Sequence, residues 1–290
     1  MKILINYADE KFKKAQKLNT FMGKHFGKFD KVYEYGPEDI DREYIEAHSD
    51  IFSYKRGNGL WLWKAYFIDR LLATCEDGDI LFYLDSGAFF VKPVDRLLET
   101  MREDEKIFIT DIPLIEKCFT KPLCFEKMEC SIDDYGYLNQ TQGGFIALKN
   151  CEKVRDFVKE WKSYAEKCDL ICCEGTFPPV TEMGDNFVVH REDQSILSLL
   201  VKKHNIRQHR DPSQFGRFED NYYSPYYAYK ATEHDDKYGT VVYLHRTPTV
   251  NLKRILINEF KMYREHFRFL KMLKKKGLKK KDLKNHILNV

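Results

Sequence analysis

Residues 80–84 (ILFYL) form an uninterrupted apolar run between the turn signals Asp77-Gly78 and Asp85-Ser86-Gly87. A strand with one wet face alternates apolar and polar residues, so a short unbroken run fits a strand covered on both faces. Such a strand needs helices above and below it. The rest of the chain supplies that pattern. Residues 2–7 (KILINY), 31–35 (KVYEY), 106–111 (KIFITD), 143–148 (GGFIAL) and 240–244 (TVVYL) read as strands. Helical spacing is expected over 9–26, 59–75, 93–103, 152–167 and 193–203, with Pro93 near a first turn. Strands alternating with helices imply an α/β fold with a largely parallel central sheet flanked by helices. Residues 113–142 and 205–239 show little periodicity, and loops that long in a compact domain are usually functional.

Composition narrows the class. The 290 residues include 18 Tyr and 21 Phe, with 48 basic against 45 acidic side chains, which excludes a disordered or fibrous chain. No apolar run reaches the ~18 residues of a spanning helix. The opening MKILINYADEKFKK turns charged too early for a signal peptide, so a soluble cytoplasmic protein is expected. Eight cysteines, at 75, 118, 124, 130, 151, 168, 172 and 173, lack the CxxC spacing of structural zinc sites and read as free thiols. The charge is uneven. Residues 261–290 hold 11 Lys/Arg against 2 Asp/Glu, so the preceding 260 residues carry 37 against 43. We therefore divide the chain into a body, 1–250, and a basic amphipathic helical extension, 251–290. In that extension Phe267, Phe269, Leu270, Met272, Leu273 and Leu278 interleave with lysines.

Candidate chemistry gathers at strand ends, where open α/β sheets bind ligands. Asp85 closes the buried run, with Ser86-Gly87 behind it; a carboxylate there holds a divalent cation, accepts from a ribose hydroxyl, or caps a turn. Arg56-Gly57-Asn58-Gly59 opens the Trp61/Trp63 helix and reads either as a tight turn or as a phosphate cradle to which Arg56 or Lys64 adds charge. Asn139, Gln140, Thr141 and Gln142 precede a buried strand and read either as a set for sugar hydroxyls or as ordinary loop polarity. Glu192 and Asp193 open a helix, as caps or as a general base. His245-Arg246 ends a late strand: the imidazole suits metal ligation and Arg246 suits a pyrophosphate. Arg210, Asp211 and Gln214, beside Tyr222, Tyr223, Tyr226, Tyr227 and Tyr229, form a loop able to hold an acceptor sugar or to fold onto the body.

The order of four blocks, DILFYLDSG, QGGFIALKN, EDQSILSLL and YLHR, resembles nucleotide-sugar glycosyltransferases of the GT-A fold. It is most similar to bacterial enzymes that build capsular polysaccharide and lipopolysaccharide O-chains. The resemblance spans residues 2–250 and implies a single Rossmann-like domain that transfers a sugar from a nucleoside diphosphate sugar, uridine-linked by analogy, to a glycan or lipid-linked glycan acceptor. In that family a DxD motif holds Mn²⁺ or Mg²⁺ and the diphosphate; Asp85, Ser86 and Gly87 match it, so the second carboxylate is missing. His245 matches the family's late metal-binding histidine. Glu192-Asp193 match its acceptor-side carboxylate, with Asp193 the better candidate base and Gln194 touching donor or acceptor. Gln142, Gly143 and Gly144 match the segment beneath the donor sugar. Inverting and retaining outcomes both stay open.

Two other classes compete. A non-catalytic carbohydrate- or nucleotide-binding protein on the same scaffold would account for the incomplete DxD motif. Nucleic-acid binding is suggested by the basic tail but opposed by the acidic body. The tail instead suits an anionic membrane surface. Peripheral attachment at the inner face of the cell membrane is therefore expected.

Overall fold

The computed structural model describes residues 1–172, 187–217, 234–275 and 277. Its main sheet comprises β1 (Lys2–Tyr7), β2 (Lys31–Tyr35), β3 (Ile80–Leu84), β5 (Ile107–Ile115), β6 (Asn139–Thr141), β7 (Phe145–Lys149) and β8 (Gln208–His209). The spatial order is β2-β1-β3-β7-β5-β6, with β8 on β5. β1, β2, β3, β5 and β8 run in one direction, and β6 and β7 run against it. The sheet is thus mostly parallel, as the periodicity implies. A separate two-stranded ribbon pairs β4 (Ala88–Phe90) with β9 (Val242–Leu244).

β3 behaves as its sequence demands. Leu81 and Tyr83 pack into the apolar cluster on one face of the sheet, Phe82 and Leu84 into the cluster on the other. All four are essentially buried. Burying a side chain such as Phe82 or Leu84 contributes about 1.5–3 kcal/mol. The helices supplying the first cluster include α2 (Leu62–Leu72), α3 (Glu152–Ala165) and α4 (Glu192–Lys203); α1 (Lys13–Met22) packs against β1 and β4.

Some boundaries move. The helix expected over 59–75 starts only at Leu62, because the preceding residues are left-handed. The helix expected over 93–103 is reduced to Asp95–Leu98. β5 runs on to Ile115, and 113–142 contains three short helices (Glu116–Phe119, Pro122–Lys127 and Ile132–Tyr135) ahead of β6. The late strand joins β4 rather than the main sheet. The seven described cysteines are free thiols; Cys173 lies outside the described residues.

The C-terminal helix α5 (Leu252–Lys275) bears out a helical extension as far as Lys275; Leu278 lies outside the described residues. An ion pair between Arg217 and Glu259 (2.5 Å) and the Arg217 guanidinium over the Tyr263 ring tie it to the body. Leu256, Phe260, Tyr263, Phe267 and Leu270 recur at alternating four- and three-residue steps, and all are exposed. No described helix is long and apolar enough to cross a membrane.

Candidate active site

The chain enters the site through an unusual turn. Gly57, Asn58, Gly59, Leu60 and Trp61 all have positive φ, at 60°, 52°, 86°, 53° and 63°. These five consecutive residues make a left-handed helical turn, closed by Gly59 N–H to Tyr54 O and Leu60 N–H to Arg56 O, both 2.9 Å. A left-handed residue other than glycine costs about 1–2 kcal/mol, so the surroundings must enforce Asn58, Leu60 and Trp61. They do so visibly. Trp63 Nε1 donates to Gly57 O at 2.8 Å, the Asn58 amide donates to the Tyr7 hydroxyl, and Tyr7 stacks on Trp63 with ring centroids 3.6 Å apart. Gly57 and Gly59 are glycines for a further reason: a Cβ would lie 2.4 Å from the Trp61 ring and 2.5 Å from the Phe52 ring. The segment is thus a tight left-handed turn, as one of its two readings has it, and it leads into α2, whose first turn carries Lys64.

Lys64 reaches the heart of the site. It is 3% exposed and donates to Asp193 Oδ2 at 2.6 Å and to Gly143 O at 3.0 Å. Its ammonium also lies 5.1 Å from the Tyr83 ring centroid. Tyr83 lies on β3 and Asp85 follows its last residue, and the tyrosine hydroxyl donates to Asp85 Oδ1. Asp85 Oδ2 faces Gly144, where a Cβ would come within 2.9 Å of it. The Ser86 hydroxyl donates to Tyr7 O at 2.6 Å.

The other wall is the start of α4. Glu192 sits at φ 43°, a left-handed position for a non-glycine residue, and accepts from Arg56 Nε at 2.6 Å. Two ion pairs thus join the 56–64 segment to consecutive residues of α4, one buried (Lys64–Asp193) and one whose arginine is largely exposed. Burial pushes the Asp193 carboxyl up to about 6 against the pull of Lys64, and Asp85 and Glu192 add to the rise. Burial also works against the Lys64 charge, but Asp193 and Asp85 outweigh it and hold the ammonium pKa above its usual value. Burial raises Glu192 as well, against the pull of Arg56. Gln194 accepts from Gly143 N–H at 3.1 Å and donates to Gln140 Oε1 at 2.8 Å, which welds α4 to the approach of β7. Gln142 accepts from the Thr110 hydroxyl at 3.0 Å.

The expected metal ligands can be tested against this geometry. Asp85 is engaged on one oxygen by Tyr83, and Gly87 has no side chain. A Cβ on Gly87 would press against Arg246 Cα at 3.3 Å, because the His245 and Arg246 N–H groups both donate to Gly87 O. His245 Nδ1 contacts Thr247, and its Nε2 is buried and unmatched among the described residues. No three His, Cys, Asp or Glu side chains among the described residues come together as a metal site. One imidazole and one half-engaged carboxylate do not fit a protein-built Mn²⁺ or Mg²⁺ cage. Arg246, itself at φ 53°, lays its guanidinium 4.8 Å from the Phe215 ring centroid.

The acceptor candidates have intrachain roles. Asp211 accepts from Ser213 N–H (2.7 Å) and hydroxyl (2.9 Å), Gln214 exchanges hydrogen bonds with the backbone of Leu244, and Arg210 stacks on and donates to Tyr238. Tyr222, Tyr223, Tyr226, Tyr227 and Tyr229 lie outside the described residues. Asn139 donates to Asp111 at 3.0 Å, and Gln140 bonds to Gln194, so this polar set is largely built into the frame. Tyr7 and Tyr83, which orient Asn58 and Asp85, were not singled out from the sequence. For Tyr83 the signal was present, since period-two alternation aligns it with Asp85.

No family model and no curated protein matches the chain. Among solved structures, it is similar to mouse xyloside xylosyltransferase 1 in its apo form, at 10% identity and TM-score 0.45, over 84% of this chain and 97% of that one. It is also similar to the apo form of glycosyltransferase GlyE from Streptococcus pneumoniae TIGR4, at 12% identity and TM-score 0.45, over 95% of this chain and 64% of that one. A third similar structure is galactosyltransferase LgtC with donor and acceptor sugar analogues, at 12% identity and TM-score 0.42, over 86% and 88%. These are distant likenesses of overall chain path, and the functional reading rests on the site.

Proposed function

We propose that the protein is a GT-A type glycosyltransferase that moves a sugar from a nucleoside diphosphate sugar, uridine-linked, to a glycan acceptor. The observation that carries this reading is the convergence of Asp193, Lys64 and Asp85 beyond the carboxyl end of β3. Breaking the anomeric bond leaves charge on the diphosphate, which positive groups must stabilise, and a carboxylate poised near neutrality suits a base for the acceptor hydroxyl. Asp193 is the proposed base, with Glu192 beside it. Arg56, Asn58, Lys64, Asp85, Ser86, Gln142, Gly143, Gln194 and Arg246 form the donor side. Arg210, Asp211 and Gln214 shape the acceptor side. The test is a panel of nucleotide sugars scored by thermal shift and by donor hydrolysis, with Mn²⁺ and with chelator; a native-state ligand must raise the melting temperature. Failure of every donor in both assays would refute the reading.

The acceptor belongs to cell-surface polysaccharide synthesis, at the inner face of the cell membrane. What supports this placement is α5, whose exposed apolar stripe is flanked by Lys253, Arg254, Lys261, Arg264, Arg268, Lys271 and Lys274. Such a helix suits an anionic lipid surface.

A second reading, a non-catalytic carbohydrate- or nucleotide-binding protein, is favoured by the incomplete metal set. Asp193→Ala and His245→Ala separate the two. A binding module keeps its affinity and has no turnover to lose.

A further inference from the structure

The disagreement between the site's side chains and a metal-dependent mechanism has a physical resolution in Lys64. We propose that the site works without a divalent cation, the Lys64 ammonium being its built-in cation. This rests on the donor-site reading above and extends it to the kind of nucleotide complex that binds: a metal-free diphosphate.

Three observations carry it. First, the position of the second DxD carboxylate is a glycine packed tightly against backbone. The chain at His245 and Arg246 crosses Gly87 and donates two N–H groups to its carbonyl, and an added Cβ would lie 3.3 Å from Arg246 Cα. Second, one oxygen of Asp85 is already engaged by the Tyr83 hydroxyl. Third, Lys64 is a buried ammonium bonded to Asp193 at 2.6 Å and interacting electrostatically with Asp85 and Glu192. Asp193, the carboxylate it bonds, is already compensated, and Asp85 and Glu192 lie within the field of the same charge. An ion of the same sign placed among them would be repelled at short range in a medium of low polarity, and would gain only charges that are already compensated. Neutralising charge on the diphosphate needs a cation, and arginine and lysine serve as well as a metal in that role.

The left-handed turn fits the same design. A metal ion finds its own place among its ligands, whereas a lysine must be held by its backbone. Residues 57–61 set the start of α2 rigidly, with both glycines in close contact with aromatic rings.

Two measurements decide it. Mn²⁺ is titrated into the purified protein and free Mn²⁺ followed by electron paramagnetic resonance. Uridine diphosphate binding is measured by calorimetry in chelator and in Mn²⁺. We expect no stoichiometric uptake of Mn²⁺ at Kd below ~1 mM and nucleotide affinities within about twofold in the two buffers. Lys64→Met, checked for its fold by circular dichroism, should lose at least about tenfold in nucleotide affinity. Stoichiometric Mn²⁺ uptake abolished by Asp85→Asn overturns the proposal, as does a loss of tenfold or more in chelator. If uridine diphosphate binds in neither buffer, the donor-site reading fails, and the Mn²⁺ titration of the wild type still decides whether these residues hold a cation.

Discussion

Lys64 donates to Asp193 at 2.6 Å across 129 residues of sequence, and neither residue is more than 5% exposed. A buried pair like this ties two parts of the chain together at a desolvation cost. Its partners are therefore far more sensitive to being separated than to being replaced together.

Removing one partner leaves the other charged and dry. Lys64→Ala should destabilise the fold by about 3–5 kcal/mol, the range for a broken buried ion pair. Lys64→Met with Asp193→Leu should recover much of that loss. Denaturant unfolding of the three proteins measures this, and a single variant as stable as wild type would contradict it.

The raised pKa of Asp193 makes a signed prediction. The carboxyl moves from 3.8 to about 6 in the fold, so between those values the folded chain binds more protons than the unfolded one. Stability attributable to this group therefore falls as pH rises from about 4 through 6. Asp193→Asn should flatten that part of the stability profile. If Asp193 is the base, kcat/KM should rise with pH through an apparent pKa near 6.

The left-handed turn should tolerate no side chain at its glycines. Gly59→Ala combines φ 86° with a 2.5 Å approach to Phe52. A loss of about 1–3 kcal/mol is expected from the backbone alone, with donor binding impaired through Lys64. Gly78 makes the control: its φ is 93° and nothing lies within 4 Å of its missing Cβ, so Gly78→Ala should cost backbone strain without touching the site.

Vesicle flotation tests α5. The intact protein should float with vesicles rich in anionic lipid and lose that binding as salt is raised, because each Lys or Arg near the surface contributes only about 1 kcal/mol. Phe260→Ser with Phe267→Ser should weaken flotation without altering the melting temperature, since both rings are exposed. Unchanged flotation would remove the membrane reading.

The α/β architecture was legible because burial leaves a local signature. The unbroken ILFYL run requires cover on both faces, and the structure puts Leu81 and Tyr83 in one apolar cluster and Phe82 and Leu84 in the other. The helices at 152–165 and 192–203 were likewise visible as apolar stripes. The short strands β4, β6 and β8 were not, since two or three residues carry no readable period. Asp85, Lys64 and Asp193 were each recognisable as chemistry-bearing residues at element ends. Nothing local said that a lysine before β3 and an aspartate more than a hundred residues beyond it share one hydrogen bond.

By itself, then, the sequence determined the layers of this protein, because apolar periodicity along a chain is decided by which side of each element must leave water. The tertiary structure alone decided the sign of φ over residues 57–61, the crossing of Arg246 over Gly87, and the partner of Lys64. These depend on contacts between distant segments, whose energies offset backbone strain and desolvation only once the sheet has brought them together.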